Sequence, residues 1–153
     1  MCIRDRAERA REAGAHEVIN YRNEPVAQRL AEITGAQGGV DRVVEVAFGA
    51  NLANNVAVLR TGGVIASYAS DAVPDPAIPF WPMLSKDLTA RFVLVYAMSR
   101  TAHDEAAAWI TRALEAGSLR HQFYKTFALD DIAGAHEATE SMSNVGKVIV
   151  ATD

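Results

Sequence analysis

The chain has 153 residues, enough for one domain with a real core, or one domain and a short piece of a second. Half of its residues are apolar, 22% are charged and the net charge is −4, a globular balance with no basic stripe to grip phosphate backbones, so nucleic acid is not an expected partner. The longest apolar run, residues 92–98, is too short for the roughly 20 residues of a membrane span, and the single Cys2 leaves no internal disulfide and no cysteine-built zinc site.

From the amino end, residues 6–13 (RAERAREA) predict a helix, with Gly14 as its C-terminal stop. Residues 16–21 (HEVINY) form a short β-rich run. Residues 25–33 predict a second helix, opened by Pro25 and closed at Thr34-Gly35. The strand at 40–46 (VDRVVEV) follows a glycine-rich loop at 35–39, and a helix at 51–59 is stopped by Arg60-Thr61-Gly62-Gly63. A strand at 64–68 (VIASY) comes next. The segment 71–82 holds all but one of the prolines and reads as a loop. A strand over 88–98, a helix over 104–116 ending at Gly117, a β-leaning run at 121–127, a helix over 130–142 and a strand at 146–151 complete the chain.

Strands alternating with helices of about ten residues imply an α/β fold with a parallel, doubly wound sheet. The runs VVEV, VIASY and FVLVY are apolar at consecutive positions, as in strands covered on both sides. Ligands of such sheets sit at the carboxyl ends of the strands. Those ends are Asn20-Tyr21-Arg22, 47–51, 67–70 and 95–98.

Gly49, between strand and helix, permits a tight turn and a close backbone approach. Asn51 either caps the helix or turns its amide to a ligand. Ser67 and Ser70 either close their strand or line a site. Tyr21 is either a core-edge aromatic or a ligand contact, and Arg22 would matter beside a phosphate. The four histidines share no helical face, so no metal site is expected. Asp130-Asp131 reads as a helix N-cap with dipole complementarity. None of the four tyrosines is followed four places on by lysine, which rules out the short-chain dehydrogenase pair. A methyltransferase would want several glycines after VVEV, where only Gly49 stands.

The stretches AREAGAHEVINYR, VDRVVEVAFGANLANNVAVLRTGGVIASYAS and FALDDIAGAHEATESMSNVGKVIV resemble the zinc-independent quinone oxidoreductases, the zeta-crystallin branch of the medium-chain dehydrogenase/reductase superfamily. The resemblance runs from about Ala7 to the end. It implies NADPH-dependent reduction of quinones or enones by a cytoplasmic homodimer, paired through the strand from Leu88 to Met98. A zinc-dependent alcohol dehydrogenase, or an inactive cofactor-binding fragment, is the alternative.

Carried over by position, Tyr21 would lie near the adenosine 2′-phosphate and Asn51 would contact the cofactor. Tyr68, Ala69, Ser70 and Asp71 would run along the nicotinamide end. Val93, Leu94 and Val95 would offer backbone groups to the carboxamide, and Lys147 would approach from the tail. The family's glycine-rich pyrophosphate turn has no counterpart here. The resemblance therefore implies an incomplete Rossmann-like sheet without its first two strands, preceded by a foreign leader (1–6). The partial nucleotide-binding domain would span 7–117. The helix and strand of 118–153 would return to a catalytic domain.

Overall fold

A computed structural model of the chain describes residues 3–141 and 146–152. In order these form α1 (Ile3–Glu12), α2 (Val26–Thr34), β1 (Val40–Glu45), α3 (Phe48–Val58), β2 (Leu59–Ser67) and α4 (Phe80–Ser85). They continue with β3 (Thr89–Phe92), α5 (Arg100–Glu115), β4 (Phe123–Ala128), α6 (Ile132–Glu140) and β5 (Lys147–Ala151). Two compact units result, Ile19–Arg100 and the combination of Met1–Val18 with Thr101–Asp153.

The first unit is built on a parallel three-stranded sheet in the order β1-β2-β3. Phe48, Leu52 and Val56 recur every fourth residue of α3, so one helical face is apolar. That face packs on Leu59 and Ile65 of β2, both 0% exposed, with Val40, Val43, Met83, Leu88 and Ala90 around the margin. At about 25 cal/mol per Å² of apolar surface removed from water, this cluster is the main source of the unit's cohesion. The Phe48 and Phe92 rings meet edge to face at 5.3 Å, tying α3 to the end of β3.

Lys86 closes α3 at its other end. Its Nζ donates to the carbonyls of Val56, Ala57 and Leu59 at 2.8, 3.0 and 2.8 Å, where the helix leaves carbonyls unpaired.

In the second unit β4 and β5 pair in parallel, with α6 as their crossover. Buried Phe127 and Ala135 join helix to sheet, and Lys125 sits 4.3 Å above the Phe127 ring. The Gln122 side chain donates to the Arg9 carbonyl of α1 at 2.8 Å.

The parallel α/β architecture is as expected, and several local expectations are corrected. Residues 16–21 form no strand. Asn20 instead organises a turn: its carbonyl accepts from Asn23 and Glu24 at 2.9 Å, and its side chain accepts from the Arg22 N–H. A β-rich run needs a neighbouring strand for its backbone groups, and here the turn satisfies them locally. Helix α3 begins at Phe48 rather than Asn51, with Ala47 at the N-cap.

The Arg60–Gly63 stop lies inside β2. The register runs from Val40↔Leu59 to Arg42↔Val64, so the segment is absorbed as an irregularity of a continuing strand. The proline-rich loop yields at its end to α4, whose Pro82 stands in the first turn, where no intrahelical donor is required. The strand expected over 88–98 is only Thr89–Phe92, and Val95–Ala97 is a 3-10 turn. Asp131 does occupy an N-cap position, but its side chain makes no capping hydrogen bond. The last helix ends at Glu140, and its expected terminus, Met142, lies outside the described residues. Coverage of β1 on both sides is not found either, since Val44 and Val46 are 74% and 54% exposed.

Replacing Lys86 by Met should remove the carbonyl cap while keeping the aliphatic stem. A loss of about 1–2 kcal/mol is expected, discounted for partial exposure, and urea unfolding measures it.

Candidate functional site at the carboxyl ends of the sheet

Parallel register brings Glu45, Ser67 and Phe92 into one row across β1, β2 and β3. Backbone hydrogen bonds stitch the chain just beyond that row. Tyr68 N–H donates to the Glu45 carbonyl at 3.1 Å, Val93 N–H to Ser67 at 2.8 Å and Phe48 N–H to Ala69 at 3.1 Å. An isolated antiparallel bridge joins Ala47 to Ser70.

Above these ends opens a cleft of about 540 Å³. Its walls include Tyr68, Ala69, Ser70, Val93 and Leu94, all five expected from the sequence, together with Phe48, Phe92, Ile78 and the loop residues Pro74–Pro76. The lining is mainly apolar, with Asp75 its one charged residue. Concave, mostly apolar surfaces with a few polar groups are the usual form of small-molecule sites.

The loop beyond β2 is fastened to the first turn of α3. Gly49 N–H donates to the Ser70 Oγ at 2.9 Å, and that hydroxyl donates to the Val73 carbonyl at 2.6 Å. A Cβ on Gly49 would overlap the Val73 carbonyl oxygen, so this glycine is needed for a close approach of backbone to backbone. Ser70 is therefore a brace of the cleft wall as well as part of its lining.

Glu45 was not singled out in the sequence. Only 5% exposed, its carboxylate accepts from the Ala47 N–H at 2.6 Å, the Asn51 amide at 3.1 Å and the Asn55 amide at 2.6 Å. Burial, the largest single influence, raises its pKa. The hydrogen bonds from Asn55, the Ala47 N–H, Asn51 and the Val46 N–H together outweigh burial and hold it below the usual carboxylate range. The signal that could have found it is an acid in an apolar strand, followed by asparagines at positions 51 and 55, one helical turn apart.

Asn51 is exposed and is not a cap; it lies in the first turn of α3 with its amide nitrogen on Glu45. Among the backbone groups beyond β3, the Val93 N–H is already committed to Ser67, while those of Leu94 and Val95 have no partner among the described residues. Val95 is 53% exposed, outside the cleft lining, and so is exposed Asp71. Tyr21 is 73% exposed in the Asn20 turn. Lys147 opens β5 in the second unit, where its N–H donates to the Gln122 carbonyl at 2.8 Å. No three His, Cys, Asp or Glu side chains converge among the described residues, so this portion offers no zinc ligand set.

Because the folded-state pKa of Glu45 is depressed, its hydrogen bonds stabilise the fold above the unfolded value of about 4.3 and cease to do so as pH falls through the lower folded value. Thermal unfolding of the wild type and Glu45→Gln should show the wild type ahead at pH 7, with the gap closing towards pH 3.

The family described as Zinc-binding dehydrogenase matches residues 13–150. A 2-haloacrylate reductase from Burkholderia sp. is 30% identical over 95% of this chain and 45% of its own length. The crystal structure of 2-haloacrylate reductase superposes with a TM-score of 0.83 at 28% identity, over 97% of this chain and 47% of that one. A quinone oxidoreductase from Lama guanicoe is 27% identical over 90% of this chain and 41% of its own length. The Escherichia coli quinone oxidoreductase complexed with NADPH shares the fold at a TM-score of 0.76 and 24% identity, over 97% of this chain and 47% of that one. The chain thus spans less than half the length of these relatives. With nine-tenths of its residues matched, it belongs to the zinc-binding dehydrogenase family, within the medium-chain dehydrogenase/reductase superfamily.

Proposed function

We propose that this chain is the cofactor-side portion of an NADPH-dependent, zinc-independent oxidoreductase of the quinone reductase type, which reduces a quinone or an enone in the cytoplasm. The observation that carries the reading is the cleft at the strand ends, lined by Tyr68–Ser70 after β2 and by Val93–Leu94 after the neighbouring β3. It lies at the carboxyl edge of a parallel sheet, the position at which such folds take nucleotides. The kinship with quinone oxidoreductases and a 2-haloacrylate reductase supports the substrate class, since both names describe reduction.

In this reading the cofactor supplies the hydride, and the chain's own residues bind and orient it. Tyr68, Ala69 and Ser70 line the nicotinamide end, with Asp71 next in the chain just beyond the cleft lining. The N–H groups of Leu94 and Val95, without a partner among the described residues, suit an amide carbonyl, while Val93 is part of the cleft lining. Asn51 lies beside the ribose and Tyr21 beside the adenosine 2′-phosphate, while the C-terminal segment, 118–153, which carries Lys147, belongs with the catalytic domain. No residue of this chain is assigned to the pyrophosphate, because no glycine-rich turn follows a strand in this sequence.

NADPH titrated into the isotope-labelled chain should shift the backbone signals of residues 51, 68–71 and 93–95 with weak affinity, poorer than about 100 μM because phosphate contacts are missing. Shifts confined to other parts of the chain, or none at millimolar NADPH, would refute the reading.

The same proposal includes a homodimer joined along the outer edge of β3. Only Thr89–Phe92 is available there for strand pairing, and Phe92 is 68% exposed. Sedimentation equilibrium at high concentration should show twice the chain mass, and a monomer would count against the dimer.

A further inference from the structure

The carboxylate of Glu45 does more than satisfy buried donors. A carboxylate can only accept hydrogen bonds. The two asparagine amides that reach it must therefore turn their nitrogens inward, which removes the usual ambiguity between amide nitrogen and oxygen. Asn55 is buried, so its orientation is internal to the fold. Asn51 is exposed in the first turn of α3, outside the cleft lining, and with its nitrogen held by Glu45 its Oδ1 is directed away, with no donor to it among the described residues.

We infer that Glu45 is a positioning residue, which fixes the Asn51 side chain so that its amide oxygen faces outward from the first turn of α3 as an acceptor for a ligand O–H or N–H. This deepens the reading of the strand ends as a cofactor site and rests on it for the identity of the ligand. The ligand group facing Asn51 is then a donor, such as a ribose hydroxyl, and not a phosphate oxygen, which would be repelled by an outward-facing carbonyl.

The arrangement is specific to a carboxylate. Glutamine at 45 would present one accepting oxygen and one donating nitrogen to four donors, so an asparagine amide must turn over or lose its partner. Aspartate would keep the all-acceptor character on a side chain one methylene shorter. No Lys, Arg or His pairs with Glu45 among the described residues, and the polar groups recorded on it come from Ala47, Val46 and the two asparagines. The orientation thus depends on hydrogen bonding and not on a competing charge.

Two readouts separate this inference from the cofactor reading. In the wild-type chain, the side-chain amide signals of Asn51 and Asn55, assigned by Asn51→Asp and Asn55→Asp, should move together through one acidic transition as Glu45 protonates. Glu45→Gln should abolish that transition. An Asn51 amide that ignores both changes overturns the inference, whether or not NADPH binds. In the NADPH titration, Glu45→Gln and Asn51→Ala should each weaken binding about fivefold, the worth of one modest hydrogen bond. The double variant should be no weaker than either single one, and Glu45→Asp should recover part of the loss. Fold losses that multiply in the double variant overturn the inference. If the wild-type chain takes up no NADPH, the cofactor reading fails alone and the amide transition still decides the role of Glu45.

Discussion

Two parallel strands can be joined only by a crossover, and here the crossover has almost no slack. Helix α3 begins at Phe48, only two residues separating it from the end of β1 at Glu45, and β2 begins at Leu59 directly after the helix stops. An eleven-residue helix is close to the shortest connection that can bring the chain back to start a parallel neighbour. The apolar face of Phe48, Leu52 and Val56 locks the crossover onto the sheet, and Lys86 closes its far end on three carbonyls. The remaining features of the first unit depend on this tight β-α-β connection.

The shortness of the turn explains the chemistry gathered there. With only Val46 and Ala47 between strand and helix, the first turn of α3 lies against the carboxyl end of β1, and Asn51 and Asn55 come within reach of Glu45. The same turn places Gly49 where its N–H meets Ser70 and where a side chain would strike Val73. The loop carrying Pro74, Asp75 and Pro76 is thereby drawn over the strand ends as a wall of the cleft. Proline restricts the conformations of that loop, which lowers the entropic cost of holding it in one place.

Much of this architecture was legible from local pattern. Helix α2 starts behind Pro25 and stops at Gly35, and β4 and β5 fall within a few residues of the β-leaning stretches that foretold them. Gly14 and Gly117 stand at positive φ, 105° and 66°, just beyond α1 and α5. The cleft was legible in part: the strand-end rule pointed to residues 67–70, which do line it, but placed the next end at 95–98, whereas Val93 and Leu94, expected only from the resemblance, line it instead. The expected strand at 16–21 was misread because β propensity speaks of a residue's fitness for a sheet and not of the sheet's presence. Glu45 escaped notice because its neighbours in sequence are apolar, and its partners are supplied by a helix that folds back upon it.

The sequence by itself determined the alternation of strand and helix, the parallel class of the sheet and the ends at which a ligand would be sought. Those properties follow from periodicity and turn chemistry, which are local. Only the tertiary structure decided that Asn51 is a braced side chain and not a cap, that Ser70 fastens a loop, and that the Val93 N–H is already taken. Each of these depends on where a hydrogen bond goes when several acceptors compete, and that competition is settled only once distant segments are packed together.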